Sequence, residues 1–568
     1  MHDLVIRNGK IVDGTGRPAF SGDLAIDGDR LSAVGGDIGR GRRELDADGQ
    51  LVTPGFVDAH THYDGQVTWD PDLAPSSWHG TTTVVMGNCG VGFAPVRPDQ
   101  HDFMIRVMEG VEEIPGAALE EGLAWDWESF PQYLDAVARQ ERTLDVVAQV
   151  PHCALRCYVM GEERALDDEA RPEDIAKMAE LTREALAAGA LGFSTSRTLL
   201  HRIKGGEPVP GTHCRPEELL GIAQAFRDVG HGVFQMMSDH MGQDPDFPWM
   251  KAIAETTGRP LVFTLAQLPH APHAYREVLA ALENTHAEEG LDIRAGVPWR
   301  PPGVLLGLEA TLNPFALHPS YAAVRKLPLP ERVRALRDPT LRARLAAEET
   351  EATNPVLKRI LSDGTNLFPL GDPPDYEPPA SACVASRAKA AGVSMTELLL
   401  DLLTANEGRD YLYFPLSYVD RDFSVLHEML SHPRSTASLS DGGAHVGSIC
   451  DASVTSYMMS YWARDRQRGP QLPLEEVIRK QTSETAALYG LRDRGVVAPG
   501  KKADLNVVDF DGLRLHRPVA TRDLPAGGRR LMQRAEGYRA TVVSGQVIAE
   551  HGELTGARPG QLVRGAQA

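Results

Sequence analysis

Thr53-Pro54-Gly55-Phe56-Val57-Asp58-Ala59-His60-Thr61-His62 is an apolar run that ends in two histidines one residue apart. In an extended strand, side chains two apart point the same way, so this spacing sends both imidazoles to one side of the strand end. Neutral imidazole is the commonest protein ligand for zinc, and two converging ring nitrogens can share one ion. A bare His-x-His describes two surface histidines equally well. Here the segment Gly55 to Asp58 has the short, apolar character of a strand buried on both faces, as in a parallel sheet.

Seven further segments share that character: Thr82 to Met86, Leu144 to Val150, Ala190 to Ser194, Gly232 to Ser238, Leu261 to Leu265, Ile293 to Val297 and Thr436 to Leu439. Amphipathic helices read between them. Pro172 to Ala188 is the clearest, with Pro172 at its start, Glu173 and Asp174 in the first turn and Gly189 just past its end. Ile175, Met178, Leu181, Thr182, Ala185 and Leu186 fall on one stripe. Eight such strands with helices between them predict an α/β fold, a closed (β/α)8 barrel of the TIM type. An open doubly wound sheet is the second choice, and no glycine-rich dinucleotide fingerprint follows the first strand.

The chain of 568 residues exceeds the roughly 250 that a barrel needs. Residues 1–53 read as short strands with Asx-Gly turns at Asp13-Gly14 and Asp27-Gly28, which suggests a small antiparallel sheet. Residues 491–568 repeat the pattern, with strands at Asp504 to Val508 and Ala540 to Val543. The two ends are expected to complete one small β-sandwich, with the barrel of residues 54–490 inserted between them. Insertions near 97–130 and 298–385 interrupt the alternation. Segments inserted at the C-terminal ends of barrel strands lie over the active site, so these predict either a lid or a contact in a homo-oligomer.

Composition narrows the function. Hydrophobic residues at 42% and charged residues at 24% are those of a globular protein, and the net charge of −20 disfavours a nucleic-acid partner. No run approaches the roughly 18 apolar residues of a membrane span, and the N-terminus opens on an alternating strand without a signal region. Six unpatterned cysteines suit a reducing compartment, so a cytoplasmic location is expected.

Two more strand ends carry chemistry. The second closes in Met86-Gly87-Asn88-Cys89-Gly90-Val91-Gly92, the eighth in Ser440-Asp441-Gly442-Gly443-Ala444-His445. A thiolate near two imidazoles would bind zinc strongly; otherwise Cys89 is a small buried hydrophobe. Asp441 before Gly442 also suits an Asx-turn. His445 fits a pocket wall or a helix cap.

Together these stretches resemble the amidohydrolase superfamily. The first-strand motif, Asp13-Gly14 ahead of it, and Val497-Ala498-Pro499-Gly500-Lys501-Lys502-Ala503-Asp504-Leu505 at the rear are similar to superfamily landmarks from residue 4 to about 550. The Cys89 motif and Gly189 to Thr195 resemble the branch of the D-aminoacylases, the N-acyl-D-amino-acid deacylases. The resemblance implies Cys89 as a zinc ligand and Asp441 as the catalytic aspartate, which would hold the attacking water, take its proton and pass it to the leaving amine. Arg197, just past the fourth strand, could grip a substrate carboxylate or form a surface salt bridge.

The chain departs from that branch in two places. Metal-binding histidines expected after strands five and six fall near Met237 and Leu265, neither of them a zinc ligand. Asp239, His240 and Gln267 are nearby replacements, and Lys204 lies too far along its loop to act as a carbamylated bridge. The expectation is therefore one zinc, or another divalent metal, held by His60, His62, Cys89 and Asp441, with a second metal left open. The reaction implied is hydrolysis of a small amide, most simply an N-acyl amino acid of D configuration. A cyclic amide is the nearest alternative, and a non-catalytic, metal-poor binding protein is the alternative of another class.

Overall fold

The computed structural model describes residues 1–239 and 246–567. All eight apolar segments form strands within two or three residues of the expected bounds: β1 (Phe56–Asp58), β2 (Thr81–Met86), β3 (Asp145–Ala148, continued by Val150–Pro151), β4 (Gly192–Ser196), β5 (Val233–Met237), β6 (Leu261–Thr264), β7 (Ile293–Pro298) and β8 (Ser435–Ser438). Each pairs in parallel with the next, in sequence order. Past their C-terminal ends the last returns to the first. Thr61 and Gly442 form a parallel bridge, the His62 amide donates to the Gly442 carbonyl at 2.7 Å, and the Asp441 amide to the His60 carbonyl at 3.1 Å. The strands are apolar throughout because both faces are covered; every residue of β2 and β4 is buried.

The helix Pro172–Ala188 has the expected bounds and ends at Gly189 in the left-handed region, φ +118°. Gly189 takes that conformation without the steric cost a side chain would add. Met178, Thr182, Ala185 and Leu186 make its buried stripe.

The chain ends share one nine-stranded sheet. Leu51–Pro54 from the N-terminal part pairs antiparallel with Leu505–Val508 from the C-terminal part. The sheet is mixed rather than purely antiparallel: His2–Ile11 pairs in parallel with both Gly41–Asp46 and Leu51–Pro54. After the hairpin of Phe20–Asp27 and Arg30–Val34 the chain crosses to the other edge of the first strand and runs along it in the same direction. One apolar cluster joins the two parts, with Leu4, Ile6, Leu24 and Ile26 against Leu505, Val507, Ala540 and Val542. Remote ends of the sheet touch, since a Cβ at Gly545 would lie 2.1 Å from the Gly28 carbonyl oxygen. The tail leaves this sheet and pairs with β3, where the Val146 amide donates to Gln561 and the Val563 amide to Val146, both at 2.9 Å.

The first insertion folds as helices His101–Val111 and Gly116–Gly122. The second extends past residue 385, to about 415. Helices Val384–Ala391 and Met395–Thr404 bury Val384, Leu399, Leu400 and Leu403 in the insertion's own apolar core, with Leu336, Leu341 and Leu361. Strand Gly303–Leu306 at its start pairs with Leu412–Pro415 at its end. The insertion is tied to the loop after β8, the Leu305 amide donating to Ser448 at 2.7 Å and Thr311 to Gly447 at 2.8 Å. Among the described residues no helix is long and apolar enough to cross a membrane. All six cysteines are buried free thiols.

Candidate metal centre

His60 and His62 follow β1, Cys89 follows β2 and Asp441 follows β8, so four sequence candidates reach the same end of the parallel strands. His60, His62 and Cys89 are buried, with one ligand atom each lying within 4.8 Å of the others. His60 Nε2 is 3.2 Å from Cys89 Sγ and 3.5 Å from Asp441 Oδ1, and His62 Nε2 is 3.8 Å from the same oxygen. Cys89, Leu439, Asp441 and His445 all adopt positive φ (55°, 64°, 48° and 45°). Non-glycine residues rarely do so, and backbone of this kind collects at functional sites held by their surroundings.

Those surroundings are explicit for Cys89. Its amide donates to Gln235 Oε1 at 3.0 Å, and the Gly90 amide donates to Ser194 Oγ at 2.9 Å. The Asn88 side-chain amide donates to the carbonyls of Thr61 (3.1 Å) and Val85 (2.9 Å), while its oxygen accepts from Gln149 at 2.8 Å. Gly87 has φ +80°, and a Cβ there would fall 2.3 Å from the Gln149 carbonyl oxygen. Residues of β4 and β5 and of the break in β3 thus fix the cysteine loop.

Burial dominates the electrostatics. It pushes the His60 imidazole down to about 3 and His62 well below its ordinary range. It raises the Cys89 thiol far up and Asp441 to about 8. Asp58 and Asp64, which flank the two histidines in the chain, rise to about 6 and about 7 for the same reason. Desolvation disfavours charge on each of these groups, and a cation bound among them would be the counter-charge that lets the thiol and the carboxyl ionise. A thiol, two imidazoles and a carboxylate form a zinc-type donor set. His62 Nδ1 and Glu112 Oε2 are buried without a hydrogen-bond partner, which further fits a site organised around an ion.

Other candidates are engaged elsewhere. Met237 sits half-buried at the end of β5 and Leu265 is buried apolar core. Asp239 Oδ2 accepts from the Leu199 amide at 2.9 Å. Gln267 donates to Asp420 at 2.7 Å and accepts from the Val419 amide, tying down the end of the second insertion. His240 lies outside the described residues. Lys204 pairs with Glu109 at the surface, 2.7 Å away. The Arg197 guanidinium bonds Asp246 at 2.8 Å and the Cys214 carbonyl at 3.0 Å, and stacks on Trp249 at 3.9 Å. Arg197 is thus already paired with a carboxylate, that of Asp246. His445 joins the site, its Nε2 lying 3.9 Å from Glu112 Oε2.

Sequence reasoning missed Glu112. It closes the helix His101–Val111, and its Oε1 lies 3.2 Å from His62 Nδ1. Glu112-Glu113 reads as ordinary surface charge. The available signal was that acids at a helix C-terminus oppose the helix dipole. A second cluster of His152, Cys214 and Glu218 is also buried. Both His152 nitrogens are bonded, to Thr195 at 2.9 Å and Glu218 at 2.8 Å, and Glu218 also pairs with Arg156. It is a satisfied polar network.

Eight sequential parallel strands thus carry imidazole, thiol and carboxylate donors at their C-terminal ends, a donor set of the kind that holds a divalent metal. The amidohydrolase family model matches residues 43–549, and the chain belongs to that family. The D-aminoacylase of Alcaligenes xylosoxydans xylosoxydans is 26% identical, covering 99% of this chain and 97% of its own. The N-acyl-D-aspartate deacylase of the same organism is 28% identical, covering 99% and 95%. A solved D-aminoacylase aligns over 99% of this chain and 100% of its own, with TM-score 0.66 at 24% identity. The N-acyl-D-glutamate deacylase of Bordetella bronchiseptica, solved with zinc and a phosphonate inhibitor, gives 0.64 at 24% identity over 99% of both chains. Within the family the chain sides with the D-aminoacylase branch, and it is a hydrolase acting on carbon–nitrogen bonds other than peptide bonds.

Proposed function

We propose that the protein removes the acyl group from an N-acyl-D-amino acid, a small-molecule amide, at one divalent metal, most simply zinc, held by His60, His62, Cys89 and Asp441. The observation that carries this reading is the convergence of imidazoles and a thiol from two strands within 4.8 Å, in a chain that aligns end to end with a D-aminoacylase. Met237 and Leu265, where further histidines would stand, favour one metal over two. The sequential pairing and the Thr61–Gly442 bridge support a closed (β/α)8 barrel over residues 54–490. The contact of Gly545 with Gly28 supports a terminal sheet that coils into a sandwich of residues 1–53 and 491–568.

His60, His62, Cys89 and Asp441 would hold the divalent metal, which when bound would lower the pKa of water toward about 7 and polarise a carbonyl. Asp441 holds the attacking water and takes its proton as the carbon–oxygen bond forms. It returns that proton to the nitrogen as the carbon–nitrogen bond breaks, so acid and amine leave in balance. Desolvated surroundings also keep competing water out. Arg197, if released from Asp246, offers the substrate carboxylate a bidentate partner.

Metal content and a panel of N-acyl D- and L-amino acids test this reading together. We expect about one metal per chain, hydrolysis of D substrates over L, and loss of both metal and activity in His60→Ala. Equal indifference to the whole panel by metal-loaded protein would overturn the deacylase reading. Turnover of hydantoins or lactams in its place would shift the substrate class to cyclic amides.

A further inference from the structure

We propose that Glu112, contributed by the insertion after β2, is a positioning residue for the metal centre. Its carboxylate holds the Nδ1 side of His62 so that Nε2 is presented to the ion. The inference rests on the single-metal reading above but not on the identity of the substrate.

A neutral histidine that ligates through Nε2 carries its proton on Nδ1, and that N–H needs an acceptor. His62 Nε2 faces Asp441 Oδ1 at 3.8 Å, on the side of His60 and Cys89, while Glu112 Oε1 faces Nδ1 at 3.2 Å. The pair lies at hydrogen-bond distance but not in hydrogen-bond alignment, so His62 Nδ1 is otherwise buried and unpartnered. Glu112 Oε2 is likewise buried without a hydrogen-bond partner, 3.9 Å from His445 Nε2. A buried carboxylate with an orphan oxygen costs stability unless something nearby uses its charge.

The backbone is built to deliver it. The helix His101–Val111 stops at Glu112, and Glu113 turns into the left-handed region at φ 55°. That turn is pinned because Ser448 Oγ donates to Glu113 Oε1 at 2.8 Å. Ser448 lies in the loop that follows Asp441, so this hydrogen bond ties the turn beside Glu112 to the Asp441 loop. Glu112 sits beside the ring nitrogen opposite the donor face, which assigns it to orientation rather than ligation.

The test uses full-length metal-free protein titrated with zinc against a chromophoric chelator, and with cobalt(II) for its visible bands. Glu112→Gln keeps the shape and removes the charge, Glu112→Asp keeps the charge on a shorter arm, and Glu120→Gln, an exposed acid of the same insertion, is the control. Glu112→Gln should weaken zinc binding about 10- to 100-fold, the usual loss for a carboxylate behind a ligating histidine. It should also shift the cobalt bands while leaving stoichiometry and the metal-free melting temperature intact. Glu112→Asp should recover part of the affinity, and Glu120→Gln should bind as the wild type does. Affinity within twofold of wild type in Glu112→Gln would overturn the proposal. So would complete loss of metal binding in Glu112→Gln, which would make Glu112 itself a ligand, or a collapsed metal-free melting temperature in both Glu112 variants, the mark of a structural role. Wild type that binds no metal would overturn this inference and the metal-centre reading together. Metal-binding wild type inactive on every N-acyl-D-amino acid would sink only the substrate assignment.

Discussion

Replacing Asp441 with asparagine should stabilise the metal-free protein at alkaline pH while abolishing its activity. Burial raises this carboxyl from the ordinary 3.8 to about 8, so the folded chain holds a proton that the unfolded chain has released. The stability linked to that proton is fully present below about 3.8 and is lost as pH rises through about 8. The loss runs at about 1.4 kcal/mol per pH unit, with a ceiling of about 6 kcal/mol over the window. Water screening in a polar cavity would leave roughly half, about 3 kcal/mol. An unfolding entropy near 2.1 cal/mol/K per residue over a chain of 568 residues converts this to ~2–3 °C in melting temperature. Scanning calorimetry of chelator-stripped protein at pH 5, 6.5 and 8, at one scan rate, reads the effect. Metal-free Asp441→Asn should melt above metal-free wild type at pH 8, with the gap closing toward pH 5. Zinc should reverse the order, because the wild-type carboxylate then has its counter-charge. Parallel pH dependence of the two metal-free proteins would refute the argument that this carboxyl waits, desolvated, for a cation.

Cys89→Ser should keep the fold and weaken zinc by at least tenfold, since a hydroxyl does not ionise as a thiol does; equal affinity in chelator competition would remove Cys89 from the ligand set. Gly87→Ala should cost about 1–3 kcal/mol, because φ is +80° and the added carbon meets the Gln149 carbonyl at 2.3 Å. Zinc affinity should fall with it, as the Cys89 loop is displaced. Arg300→Met should destabilise by about 3–5 kcal/mol, since it strands buried Asp451, which Arg300 now holds at 2.8 Å. Thermal unfolding unchanged by that substitution would mean the pair is silent.

The eight strands were legible because residues buried on both faces leave a continuous apolar run, which composition alone reveals. His60, His62, Cys89 and Asp441 were legible because each stands in a short motif at the end of such a run. Glu112 was not, because no local pattern distinguishes an acid turned into a cavity from one turned into water. The extent of the second insertion was also hidden: its helices are as amphipathic as those between the strands, and periodicity does not say which core they cover. Gln267 looked available in sequence, but long-range hydrogen bonds to Asp420 and Val419 engage both polar atoms of its side chain.

The sequence by itself determined the parallel strand order, the joining of the two chain ends and the donor types at the strand ends, since all three are written in runs of neighbouring residues. Tertiary structure alone decided which donors meet, that the terminal sheet is mixed, that Arg197 is already paired and that Glu112 stands behind His62. These depend on contacts between residues dozens to hundreds apart, and packing geometry, not local pattern, sets such distances.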